Sequence, residues 1–170
     1  MEQNVSMKIN ELPSPTWNWL KVNETPIKWS NKIEPCEIAA EGDAVATETE
    51  QLSDIETGAG READAIFATE NTAKYQILAD NAGQDKTVRL HISGKKDAHT
   101  AGCVEIVAKE NSTLTVVMDS RVAPDATKEE DSTAEASLAV RVRMKVESGA
   151  SVRLVQVQMP QEPETLLSDI

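Results

Sequence analysis

The stretch SLAVRVRMKVE, residues 137–147, alternates without interruption. Leu138, Val140, Val142, Met144 and Val146 share one parity, and Ala139, Arg141, Arg143, Lys145 and Glu147 the other. Successive side chains of a strand point to opposite faces, so this pattern demands a strand with one buried and one solvated face. A helix would scatter the same residues around its axis. Ser148-Gly149-Ala150 then reads as a turn, since glycine reaches backbone conformations that other residues avoid. SVRLVQVQM (151–159) resumes as a strand, with Val152 and Leu154 on one face but Val155 and Val157 on the other. That switch implies a bulge near 154 or a strand covered on both sides.

Related units occur earlier. CVEIVAKENSTLTVVMD (103–119) reads as strand, Glu-Asn-Ser turn, strand, and Gly149-Ala150 aligns with Asn111-Ser112 at an offset of 38. AIFATENTAKYQILAD (65–80) matches it at an offset of 40, Ala68, Glu70, Asn71 and Thr72 facing Ala108, Glu110, Asn111 and Ser112. KTVRLHISG (86–94) is another strand, with Val88, Leu90 and Ile92 on one face. A nearly constant period built only of strands fits stacked β-structure, a β-helix or solenoid, in which each unit packs on its neighbours. A β-sandwich with regularly spaced hairpins fits the alternation equally well. The segment 120–136 between the last two units reads as an exposed polar loop.

The chain divides by composition into residues 1–30, 31–64, 65–160 and a tail, 161–170. Residues 34–64 hold ten acidic side chains and one basic one, Arg61, with no aromatics. Such a stretch buries too little apolar surface to offset its ordering entropy, and predicts a partly disordered acidic linker. The formal net charge of -12 opposes binding to nucleic acid, whose phosphates it would repel. It also opposes an anionic membrane surface, where basic residues normally accompany aromatics. The N-terminus lacks the basic start and apolar run of a signal peptide, and the expected location is cytoplasmic. Cys36 and Cys103 are too few for a disulfide framework and are expected as reduced thiols.

Three segments resemble the SufB/SufD family, the scaffold subunits of SUF iron–sulfur cluster assembly. LPSPTWNWLKVNE is similar to the Thr-Trp-x-Trp-Leu-x-x-Asn segment that opens SufD-like members. VEIVAKENSTLTVVMDS resembles their strand–turn–strand with Asn at the turn, and VESGASVRLVQVQ the segment that follows. The resemblance implies the N-terminal part of a right-handed parallel β-helix, preceded by a short, partly helical Trp-rich segment. It implies a SufB-type subunit and a SufC-type ATPase as partners. Family members run considerably longer, and their cluster-related residues and ATPase-binding region lie in portions with no counterpart here. The chain is therefore expected to correspond to the first part of a SufD-like protein, with no catalytic or metal-binding residue carried over and no cofactor of its own. On this reading Trp17, Trp19 and Trp29 are bulky anchors that dock the N-terminal segment onto the core or a partner.

Other chemistry finds little support. His91, His99 and Cys103 carry ligand atoms, but a cluster or structural zinc takes four; strand alternation predicts that His91 and Cys103 are accessible. Glu129, Glu130 and Asp131 sit in the polar loop, which offers no cleft to separate their pKa values. Neither a GxSxG elbow nor a GxxxxGK[ST] phosphate loop occurs. The expected function is a non-enzymatic scaffold. A stand-alone β-rich module that binds a protein or carbohydrate is the alternative.

Overall fold

The computed structural model describes residues 4–9, 25–30, 32–53, 61–68, 70–80, 82–122, 136–159 and 164–170. These residues are mainly β. Near the N-terminus β1 (Asn4–Ile9) and β2 (Thr25–Ser30) form an antiparallel pair. The remaining strands belong to two sheets. The larger orders as β12 (Thr165–Asp169), β10 (Ser137–Val146), β8 (His99–Ala108), β6 (Ala73–Ala79) and β5 (Val45–Glu48), with β3 (Ile33–Pro35) also paired to β8. The smaller orders as β11 (Ser151–Gln158), β9 (Thr113–Arg121), β7 (Asp85–Ser93) and β4 (Glu37–Gly42).

From β6 onward the chain crosses from one sheet to the other at every turn. Each strand then pairs in parallel with the strand two places along: β6 with β8, β7 with β9, β8 with β10, β9 with β11, β10 with β12. Antiparallel pairing enters these sheets only where β4 meets β7 and β5 meets β6, among the described residues. Alternation makes the core. Val88, Leu90 and Ile92 of β7, with Leu114, Val116 and Met118 of β9, face Val104 and Ile106 of β8 and Leu138, Val140 and Val142 of β10. All are almost fully excluded from water. Burying one such aliphatic side chain stabilises by about 1.5–3 kcal/mol, so these two facing layers dominate the hydrophobic contribution.

The corners between the sheets share one backbone device. Gly83, Asn111 and Gly149 all have positive φ, at 78°, 58° and 70°. They stack: the Gly83 N–H donates to the Asn111 carbonyl (3.2 Å) and the Asn111 N–H to the Ser148 carbonyl (3.0 Å). Glycine tolerates this region freely and Asn better than most residues, which explains both residue types at one structural position. The repeat follows from the register. Asp85 pairs with Thr113, 28 positions on, and Ser137 with Thr165 at the same spacing, whereas Thr113 pairs with Ser151, 38 positions on. The longer interval reflects the longer connection between Arg121 and Ser137.

Several expectations are corrected. Residues 65–80 are not strand–turn–strand: α1 (Arg61–Phe67) precedes β6, and the corner equivalent to Asn111 is Gly83 rather than Asn71. Both are short polar turns, and only the sheet partners distinguish them. Residues 33–48, read as linker, supply β3, β4 and β5. Short strands need little apolar content of their own when a neighbour supplies the ladder: Ile38, Ala40 and Ala46 turn inward to the core, while carboxylates face out, Glu34 to Lys95 (3.3 Å) and Glu41 to Arg89 (3.6 Å). β11 has no bulge, its register with β9 running unbroken from Ser151 to Gln158. Nor is it covered on both sides, since Val155 and Val157 are exposed. Residues 10–24 of the Trp-rich segment expected to be partly helical, and residues 123–135 of the expected polar loop, lie outside the described residues.

Candidate docking surface on the larger sheet

The outward face of the larger sheet carries polar residues where a solvated face was expected, yet much of it is covered. Two transverse rows are fixed by register. Lys74, Cys103, Arg141 and Asp169 form one, and Gln76, Glu105 and Arg143 the next. Arg141 is almost fully buried, which corrects its assignment to a solvated face. Its Nε donates to Asp169 Oδ2 (2.5 Å), and its Nη2 lies 2.8 Å from Asp64 Oδ1 on α1. Its guanidinium stands 4.3 Å from the centre of the Phe67 ring. A guanidinium is weakly hydrated and stacks on aromatic faces, so Arg is suited to such a site where Lys is not.

Glu105 has no exposed surface. Ser53 N–H donates to its Oε1 (2.9 Å) and Gln76 Nε2 to its Oε2 (2.6 Å). Burial works against its charge, but the hydrogen bonds from Ser53 and Gln76, with Arg143 nearby, outweigh it and hold the carboxyl below its usual range. Arg143 Nη1 in turn donates to the Ser53 carbonyl (3.1 Å).

Beside these rows lies an apolar patch. Trp29 of β2 and Ile66 and Phe67 of α1 pack over Ala101, Cys103 and Ala139, with Leu52 and Leu167 at the margin. Trp29 is buried within this chain, its ring 5.6 Å from that of His99, whose Nδ1 is 2.5 Å from Ser137 Oγ. Trp17 and Trp19 lie outside the described residues. The helix α1, and β2 from the first thirty residues, thus reach the sheet through Phe67 and Trp29.

The residues singled out for ligand chemistry are not brought together. His91 stands half-exposed on the smaller sheet between Glu41 (3.5 Å) and Asp119 (3.9 Å), whereas His99 and Cys103 belong to the larger one. Cys103 is buried rather than accessible; burial pushes its thiol up, against the pull of Arg141, Arg143 and Lys74. Burial likewise pushes Cys36 up to about 12. Both cysteines are free. Among the described residues no three acidic, His or Cys side chains are grouped to hold a metal ion, and no helix is long and apolar enough to cross a membrane. An open groove of about 590 Å³ lies at the β5–β6 end, lined by Glu48, Glu50, Glu70, Asn71 and Lys74 among others. Glu105 and Arg143 escaped sequence reasoning, because a lone charge on an alternating strand looks the same whether water or a strap covers it. No family model matches the chain, and no curated protein or solved structure matches it.

Proposed function

We propose that this chain is a non-enzymatic, SufD-like scaffold component of cytoplasmic SUF iron–sulfur cluster assembly, built as the N-terminal part of a right-handed parallel β-helix. It acts by protein–protein contacts with a SufB-type subunit and a SufC-type ATPase, and the cluster is cargo of the assembled complex. One observation carries the reading. The two core segments that resemble the family, around Glu110-Asn111-Ser112 and Ser148-Gly149-Ala150, occupy the same corner in successive turns of a parallel stack. A resemblance found in two separate stretches thus coincides with one structural position. The side-chain rows favour a rigid platform over a reaction centre, because Arg141 is held between Asp64 and Asp169, and Glu105 accepts from Ser53 N–H and Gln76.

The test is co-purification. The tagged chain, expressed with a SufB-type and a SufC-type subunit in one extract, is expected to elute with them as a complex. Elution of the folded chain alone, with both subunits present, would refute the assignment.

A further inference from the structure

Leu52 and Leu167 meet the outer face of the larger sheet, and each opens the same four-residue sequence. Residues 52–55 and 167–170 both read Leu-Ser-Asp-Ile, and Leu52 and Leu167 both pack against the patch formed by Trp29, Phe67 and Ala139. The second stretch lies in and just after β12, hydrogen-bonded to β10, with its Asp169 carboxylate on Arg141. Ser53 of the first reaches the next row. There the Ser53 N–H donates to Glu105 and the Ser53 carbonyl accepts from Arg143. Glu105 and Arg143 are direct register neighbours on β8 and β10, so they bracket both backbone polar groups of one residue. Such a bracket reads an extended backbone irrespective of side chain, and the adjoining apolar patch adds a preference for the residue before it.

We propose that this face is a recognition site for an extended Leu-Ser segment of a partner protein, and that residues 49–53 occupy it in cis as a displaceable strap. The inference goes beyond the scaffold reading and does not rest on it. The strap is lightly held. Gln51 and Ser53 are exposed and Leu52 is only half-buried. Beyond the bracket it is held by the Thr49 N–H, which donates to the Lys74 carbonyl (3.0 Å), by Thr49 Oγ1, which accepts from the Gln51 N–H (3.3 Å), and by Lys74 Nζ, which donates to the Glu50 carbonyl (3.1 Å). The bracket contacts are made to backbone groups, and a partner segment of the same sequence reproduces them one for one. Exchange therefore keeps the contacts of Glu105 Oε1 and Arg143 Nη1 satisfied. A closed strap lowers the partner's apparent affinity by the fraction of molecules in which it is open.

The probe is a fluorescein-labelled synthetic peptide of residues 49–56, Thr-Glu-Gln-Leu-Ser-Asp-Ile-Glu, followed by anisotropy with the full chain. Leu52→Ala with Ser53→Pro opens the strap, removing the apolar anchor and the N–H donor together. The opened chain is expected to bind the peptide at least about tenfold tighter than the native chain. Adding Arg143→Gln to it, or replacing the peptide's Leu by Ala, is expected to cost about tenfold, roughly 1.4 kcal/mol. An opened chain that keeps its circular dichroism and melting transition but binds no better than the native one overturns the proposal, as does equal binding of a scrambled peptide. If the opened chain fails to fold, hydrogen exchange on the native chain decides. Saturating peptide is expected to accelerate exchange over residues 49–53 while leaving β8 unchanged, and unaltered exchange there at every peptide concentration refutes the site.

Discussion

At Gly149 the backbone is left-handed, and a Cβ added there would run into Asn111 Oδ1 of the corner below. Gly149→Ala is expected to cost about 1–2 kcal/mol in denaturant unfolding, from the left-handed strain and the steric conflict together. A different close approach governs Gly102, where a Cβ would meet Cys36 Sγ. Gly102→Ala is expected to destabilise by about 1–3 kcal/mol, as overpacking of a closed site does. Cys36→Ala clears the space, so the double variant should lose less than the two single losses combined, a coupling that a double-mutant cycle measures. The Cys36 thiol adds a pH signature. The folded chain retains a proton that the unfolded chain releases near 9.0, so stability is full below that value and falls as the pH rises toward about 12. Cys36→Ala is expected to flatten that alkaline limb in melts run across the range.

Among the elements, the strands were the most legible and their neighbours the least. The alternation of Val88, Leu90 and Ile92, and of Leu138, Val140 and Val142, identified inward faces directly, since a strand's two faces differ in the surface they bury. Arg141 shows where such reading stops. Its position predicted the outward face correctly, but not that α1 and β12 would bring Asp64 and Asp169 over it. Burial of an outward residue depends on what crosses the sheet, and that is set by partners distant in sequence. β3 to β5 were missed for the same reason, their strand character being borrowed from β6, β7 and β8. For the strap the sign of its pH dependence is fixed. Glu105 has its carboxyl lowered from 4.5, so its contribution is present above that value and is lost as the pH falls through the lowered one. Glu105→Gln is expected to destabilise at neutral pH, with the gap from the native chain closing in acid, as paired urea titrations between about pH 3 and 7 would reveal.

For the molecule as a whole, the two ends of the stack differ. At one end β4 and β5 pair antiparallel and carry carboxylates such as Glu37, Glu41 and Glu48, charges that discourage further strand pairing. At the other β11 is an edge strand of the smaller sheet, with Val155 and Val157 exposed on its outer face and Met144 and Val146 of β10 exposed nearby in sequence. An apolar edge of this kind invites association, and Val155→Lys with Val157→Lys is expected to reduce concentration-dependent self-association in sedimentation velocity. Platform, corner column and strap site all rest on one architectural fact, the parallel pairing of strands that alternate between two sheets. Nitroxide labels on two cysteine pairs, Thr113→Cys with Ser151→Cys and Asp119→Cys with Val157→Cys, in a chain whose native cysteines are replaced by Ala, test it by electron paramagnetic resonance. Parallel register places both pairs on adjacent strands about 5 Å apart at the backbone, and both spectra should show strong dipolar broadening. An antiparallel hairpin would instead separate both pairs by about 20 Å, and two unbroadened spectra would contradict the fold.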